Sequence, residues 1–155
     1  MIRRATPGDV DAIAELFERS FGTLTFLPVL HTLDEHRAWF ALVVADQEVW
    51  VWDDGGVLGF AALDDSTLSY LYVEPEAIGT GIGSALYRHV LARRPDLTFW
   101  VFQQNERARR FYKRHGAQAI RFTDGEGNEE KTPDVLYAAS PGPTDAASDR
   151  GSTAR

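Results

Sequence analysis

The chain has 155 residues, 44% hydrophobic and 25% charged, which suits one soluble domain with a real core. Its formal net charge of -7 disfavours non-specific nucleic-acid binding, because nothing offsets phosphate repulsion. With no cysteine there is no disulfide, no thiolate metal site and no cysteine nucleophile. Met1 to Pro7 lacks the apolar run of a signal peptide, and no stretch approaches the ~20 apolar residues that span a bilayer. The expectation is a cytoplasmic protein with no membrane partner.

Met1 to Ala5 reads as a short strand. Thr6 can cap the helix that follows, and Pro7 fits its first position. Val10, Ile13, Ala14, Leu16 and Phe17 recur at helical spacing, and Gly22 marks the end. Leu24 to Leu33 is apolar but broken by Pro28, which suits either a cleft lining or a loop pinned by its leucines. Asp34 to Val44 resumes as a second helix. Glu48 to Asp53 alternates as a strand, Asp53-Asp54-Gly55-Gly56 turns it, and Val57 to Leu63 returns. After Asp64-Asp65-Ser66 comes a further strand, Leu68 to Val73.

A helix from about Gly81 to Arg94 turns Ile82, Leu86, Val90 and Leu91 inward, and Pro95 stops it. Leu97 to Phe102 is a nearly continuous apolar run, as expected of a strand covered on both faces. The connection from Val73 to Leu97 is most simply a parallel crossover. Asn105 to His115 is a basic helix closed by Gly116. Ala117 to Phe122 and Val135 to Ala138 are strands around the polar turn Asp124 to Glu130. Ser140 to Arg155 has no apolar pattern and is expected to be disordered, leaving a single domain over 1–139.

The stretch Ser69-Tyr70-Leu71-Tyr72-Val73-Glu74-Pro75-Glu76-Ala77-Ile78-Gly79-Thr80-Gly81-Ile82-Gly83-Ser84 reads as strand, glycine-rich turn and helix. Glycines at alternate positions let the backbone approach a ligand closely. The following helix aims unpaired N–H groups and its positive dipole end at the turn, so phosphate is the natural guest. A P-loop needs Lys before a hydroxyl residue, but Gly83 is followed by Ser84-Ala85. A dinucleotide fingerprint starting at Gly81 would place its third glycine at Leu86, and the next strand carries no carboxylate at its end. An ordinary tight connection without a ligand stays open at this point.

Val73 to Leu86 resembles the acetyl-CoA loop of the GNAT superfamily of N-acetyltransferases, Gln/Arg-x-x-Gly-x-Gly/Ala entering a helix. Gly81 and Gly83 match, while Ile78 stands where the family usually has Gln or Arg. A second segment, Asn105-Glu106-Arg107-Ala108-Arg109-Arg110-Phe111-Tyr112, sets Asn105, Ala108 and Tyr112 on one helix face. It resembles the family's second CoA motif, Asn-x-x-Ala-x-x-x-Tyr, with Gly116-Ala117 in place of a Gly-Phe-type step. Taken alone it also suits an amphipathic helix with a core tyrosine. Two motifs in the right order are far more specific than either one.

The resemblance implies a mixed α/β (α+β) fold. Its mostly antiparallel sheet of about six to seven strands is flanked by helices, with a central parallel pair that splays to hold CoA. It implies direct acetyl transfer from acetyl-CoA to a primary amine, with no metal. Ile78, Gly79, Thr80, Gly81, Ile82, Gly83 and Ser84 would hold the pyrophosphate. Main-chain groups of Leu71, Tyr72 and Val73 would meet the acetyl end, and Asn105, Ala108 and Tyr112 would flank the arm. Tyr112 matches the family's general acid. For the base, His31 has a suitable ordinary pKa and Glu35 lies near it; Glu74, or Tyr70 through water, are further candidates. Asn128-Glu129-Glu130 suits a rim for a cationic substrate or a solvated turn. The acceptor is a small-molecule or peptide amine, and a homodimer would be in keeping with such families. The alternative is a non-catalytic acyl-CoA sensor.

Overall fold

The computed structural model describes residues 1–139, so the tail expected from Ser140 onward lies outside the described residues. Chain contacts cluster into two compact units: Met1–Thr25 with Val29–Arg93, and Phe26–Pro28 with the described residues from Arg94 onward.

In the first unit, β1 (Ile2–Arg4), β2 (Glu48–Asp53), β3 (Val57–Asp64) and β4 (Thr67–Val73) pair antiparallel in sequence order. Val51 faces Phe60 and Phe60 faces Tyr72 across the ladders. Three helices belong to this unit: α1 (Val10–Phe21), α2 (Leu33–Asp46) and α3 (Ile82–Arg93). The helical spacing read from α1 holds, because Ile13, Ala14, Leu16 and Phe17 are all buried. They join Phe40, Val43, Val49, Val51 and Phe60 in one core.

The chain enters α1 through a 3-10 turn, Pro7–Asp9, with Thr6 as its N-cap and Pro7 in its first turn, as the sequence suggests. The Thr6 backbone N–H and hydroxyl both donate to Asp9, at 2.8 and 3.2 Å. Arg3 reinforces this start. Its guanidinium grips both oxygens of Asp9 at 2.9 and 2.8 Å, so the carboxylate sits buried and fixed before Val10. For α2 the cap is Thr32, two residues ahead of the expected start at Asp34. Its hydroxyl accepts from the Glu35 N–H at 3.2 Å, and Glu35 takes the Thr32 N–H at 2.8 Å. This is a capping box, spelled Thr32-Leu33-Asp34-Glu35 in the sequence.

In the second unit, β7 (Asp134–Ala138) pairs antiparallel with both β5 (Thr98–Phe102) and β6 (Gln118–Phe122). The expectation of a β5 covered on both faces is corrected: only Phe99 and Val101 are buried, with partly exposed residues between them. The wholly buried strand is β7. Helix α4 (Glu106–Arg114) ends at Gly116, whose φ of +88° suits glycine. The polar turn before β7 is stapled by Asn128, whose amide donates to Thr132 O at 2.7 Å and to Asp134 at 3.1 Å. Asn128 is thus a structural residue, while Glu129 lies exposed and Glu130 half-buried on the turn. Across the described residues the class is mixed α/β, with mostly antiparallel strands and flanking helices, as the sequence leads one to expect.

Candidate active site

In the first unit the chain leaves β4 at Val73. The Glu74 N–H continues the ladder by donating to Leu58 O at 2.8 Å, and then Pro75–Ala77 form one 3-10 turn. Gly79 and Gly81 follow with φ of +88° and +92°, values that side-chain-bearing residues rarely adopt. A β-carbon on either would meet nothing within 4 Å. These two glycines therefore serve conformation and access, not close packing. Ala85 is the first residue of α3 whose N–H bonds within the helix, to Gly81 O at 3.0 Å. Helix geometry leaves the N–H groups before it without intrahelical partners.

The lip of this loop, Ile78 to Gly81, is exposed. Ile78 is 42% exposed and supplies no polar anchor, so any anion there would be held by main chain. The Thr80 hydroxyl donates to Ala77 O inside the turn. Positive helix-end charge, exposed N–H groups and open space together fit a pyrophosphate.

Glu74 is not placed to take a proton. Both its oxygens are held by Arg19 of α1, Oε1 by Nε at 2.6 Å and Oε2 by Nη2 at 2.8 Å. Next to it, β4 brings Leu71, Tyr72 and Val73 to a half-buried position. The Tyr72 ring packs on Phe17 at 5.0 Å and stacks on Phe60 at 6.0 Å, which fixes this strand's backbone.

His31 and Glu35 come together on the same unit, His31 Nδ1 lying 4.0 Å from Glu35 Oε2. The capping bonds from Thr32, backbone first, hold the Glu35 carboxyl below its usual range. Glu35 is thereby a charged partner and a poor proton acceptor. Sequence reading missed what stands beside them. His36 Nδ1 is 2.6 Å from Glu18 Oε2, and the His36 ring lies 5.9 Å from that of His31. Trp39 donates its indole N–H to the Tyr70 hydroxyl at 2.7 Å. The available signal was the density of His, Glu and Trp on the first two turns of α2.

In the second unit, Asn105 is the N-cap of α4. Its Oδ1 accepts from the Ala108 N–H at 3.2 Å and so caps the helix. Tyr112 is 8% exposed, with its ring 4.2 Å from Phe99 and 5.1 Å from Phe111. Its carbonyl accepts from the Ala117 N–H at 3.0 Å. Arg109 braces the same helix by donating to the Tyr137 hydroxyl at 3.1 Å and to Gln103 O at 3.3 Å. Among the described residues no group of three or more His, Asp or Glu side chains could hold a metal ion. No described helix is long and apolar enough to cross a membrane.

An antiparallel ladder thus leads into an exposed glycine-rich loop ahead of a helix. Residues 45–116 match the acetyltransferase (GNAT) domain. Over 123 residues the chain is 34% identical to the peptidyl-lysine N-acetyltransferase YiaC of Escherichia coli, covering 77% of this chain and 84% of that protein. It is 33% identical over 107 residues to the peptidyl-lysine N-acetyltransferase YjaB of the same organism, covering 69% of this chain and 67% of YjaB. The solution structure of apo YjaB superposes with a TM-score of 0.75 at 25% identity, over 90% of this chain and 96% of that one. The chain belongs to the GNAT family and is an acetyl-CoA-dependent N-acetyltransferase.

Proposed function

We propose that the protein moves the acetyl group of acetyl-CoA onto the side-chain amine of a lysine in a peptide or protein. The observation that carries the donor half is the exposed loop from Ile78 to Gly81, with positive φ at Gly79 and Gly81, leading into the first turn of α3. The acceptor half is supported by two relatives whose names specify peptidyl-lysine. The open setting of His31, Glu35 and Trp39, all exposed, also suits a macromolecular acceptor better than an enclosed one.

In this reading residues 1–139 act as one catalytic domain. Ile78, Gly79, Thr80, Gly81, Ile82, Gly83 and Ser84 hold the pyrophosphate through main-chain N–H groups. The backbone of Leu71, Tyr72 and Val73 receives the acetyl end, and the amide nitrogen of Asn105 with the small Ala108 accommodates the arm. The lysine ammonium, with an ordinary pKa near 10.4, must first lose a proton. His31 takes it, oriented by the charged Glu35. The amine nitrogen then bonds to the acetyl carbon as the carbon–sulfur bond breaks, Tyr112 gives its phenolic proton to the leaving sulfur, and the second proton shed by the nitrogen restores the tyrosine by way of solvent. The enzyme works in the cytoplasm without metal, nucleic-acid or membrane partners, alone or as a homodimer.

The test offers acetyl-CoA with a lysine-containing peptide, the same peptide with its lysine replaced by norleucine, and free small amines, and locates the acetyl group by mass spectrometry. Modification of the lysine side chain is expected. Transfer to small amines alone would overturn the acceptor assignment. Binding of CoA with no transfer to any amine would favour the acyl-CoA sensor.

A further inference from the structure

Helix α2 carries a tryptophan in an unusual setting. Trp39 is 50% exposed, yet its single polar atom is tied down by the 2.7 Å bond to the Tyr70 hydroxyl. Tyr70 is itself immobilised, its ring 5.1 Å from Phe40 and 5.8 Å from Phe17 in the core of the first unit. The indole therefore stands in solvent with a fixed orientation, and the usual entropy cost of ordering a surface side chain on ligand contact has been met during folding. Tyr70 lies on β4 immediately before Leu71, Tyr72 and Val73, the residues assigned to the acetyl end. One helical turn ahead of Trp39 stands Glu35, an exposed carboxylate on the same face.

A fixed, exposed indole face matches one kind of guest, a flexible apolar stem with a cationic tip. Tryptophan is the best of the aromatic side chains for a cation above its ring. We infer that Trp39 is a specificity-determining residue for the acceptor: the four-carbon stem of the acceptor lysine lies along its ring on the way to the acetyl end. This rests on the peptidyl-lysine reading above. It goes further by naming the side chain that measures the acceptor's length and charge.

The experiment compares wild type, Trp39→Phe, Trp39→Leu and Trp39→Ala in steady state, varying acetyl-CoA and peptide separately, with lysine and its one-carbon-shorter analogue ornithine at the target position. Trp39→Ala is expected to raise KM for the lysine peptide about five- to thirty-fold. Trp39→Leu, which keeps apolar bulk for the stem but no flat ring, should fall between, and Trp39→Phe should stay closer to wild type. KM for acetyl-CoA should stay within about twofold of wild type, and the preference for lysine over ornithine should narrow. Equal rises in both KM values, or a peptide KM unchanged in all three variants, would overturn the inference while leaving the acceptor class intact. A wild-type enzyme that acetylates no lysine peptide would overturn both. Trp39→Phe guards against misfolding, because it retains a ring against Tyr70.

Discussion

A β-carbon on Gly59 would stand 3.0 Å from Ile82 Cγ2, at the first residue of α3, and 3.0 Å from Leu86 Cδ1. Strand β3 thus lacks a side chain where the helix carrying the anion loop comes down onto it. Gly59→Ala should push the first turn of α3 outward and cost about 1–3 kcal/mol of overpacking. The expected signature is a lower urea midpoint together with a raised KM for acetyl-CoA, and an unchanged KM would show that the loop does not depend on this contact.

Tyr112 tests the proton donor. Its ring is buried against Phe99, so Tyr112→Phe keeps the packing and removes only the hydroxyl. A fall in kcat of about 100-fold is expected, with thermal stability and acetyl-CoA affinity near wild type. Tyr112→Ala should behave differently, losing about 3–5 kcal/mol of stability through the cavity it opens. A Tyr112→Phe enzyme with full kcat would remove tyrosine from the chemistry.

Asp9 tests the anchor of α1. Hydrogen bonds from Arg3, the largest cause, and from the Thr6 backbone lower its pKa from 3.8 to about 2. A carboxyl whose folded pKa is depressed binds fewer protons folded than unfolded in that interval. Its contribution is therefore full above about pH 4 and is lost as pH falls through that window toward 2. Asp9→Asn should cost on the order of 1–2 kcal/mol at neutral pH and flatten the acid limb of the stability curve, as read by denaturant melts across pH.

Glu74 tests which carboxylate is not the base. With both oxygens held by Arg19 at 2.6 and 2.8 Å, it serves as a strut between α1 and the loop after β4. Glu74→Gln should cost less than about 1 kcal/mol, since Arg19 is half exposed. The pH at which kcat/KM falls on the acid side should not move in this variant, whereas His31→Gln should abolish that limb. A displaced acid limb in Glu74→Gln would return it to the list of bases.

The elements were legible in the sequence wherever a local device fixed them. The period of α1, the Asp53 to Gly56 turn, the glycine loop and the Gly116 stop all work within a few residues, so spacing alone revealed them. What escaped was set by partners distant in sequence. Arg3 reaches Asp53 from 50 positions away, and Arg19 occupies Glu74 from 55. Neither apolar run announced that β7 would be buried at every position and β5 only at alternate ones. At the site, the family motifs marked Gly81, Gly83, Asn105 and Tyr112, but nothing in their spacing said that Asn105 Oδ1 would be spent on capping α4. Trp39 and His36 escaped because α2 shows no motif; their meaning comes from Tyr70 and Glu18 across the fold.

The central requirement of the proposed function is that acetyl-CoA lies along the loop from Ile78 to Ser84. Thermal unfolding of wild type and Gly81→Ala, each with acetyl-CoA, CoA, NAD or ATP, measures this. At about 100 times its dissociation constant a specific ligand stabilises the fold by roughly 2.7 kcal/mol. The predicted result is such a rise in wild type with acetyl-CoA and CoA alone, largely lost in Gly81→Ala, where φ of +92° strains any side chain. No rise with CoA, a larger one with NAD or ATP, or a full rise in Gly81→Ala would contradict it.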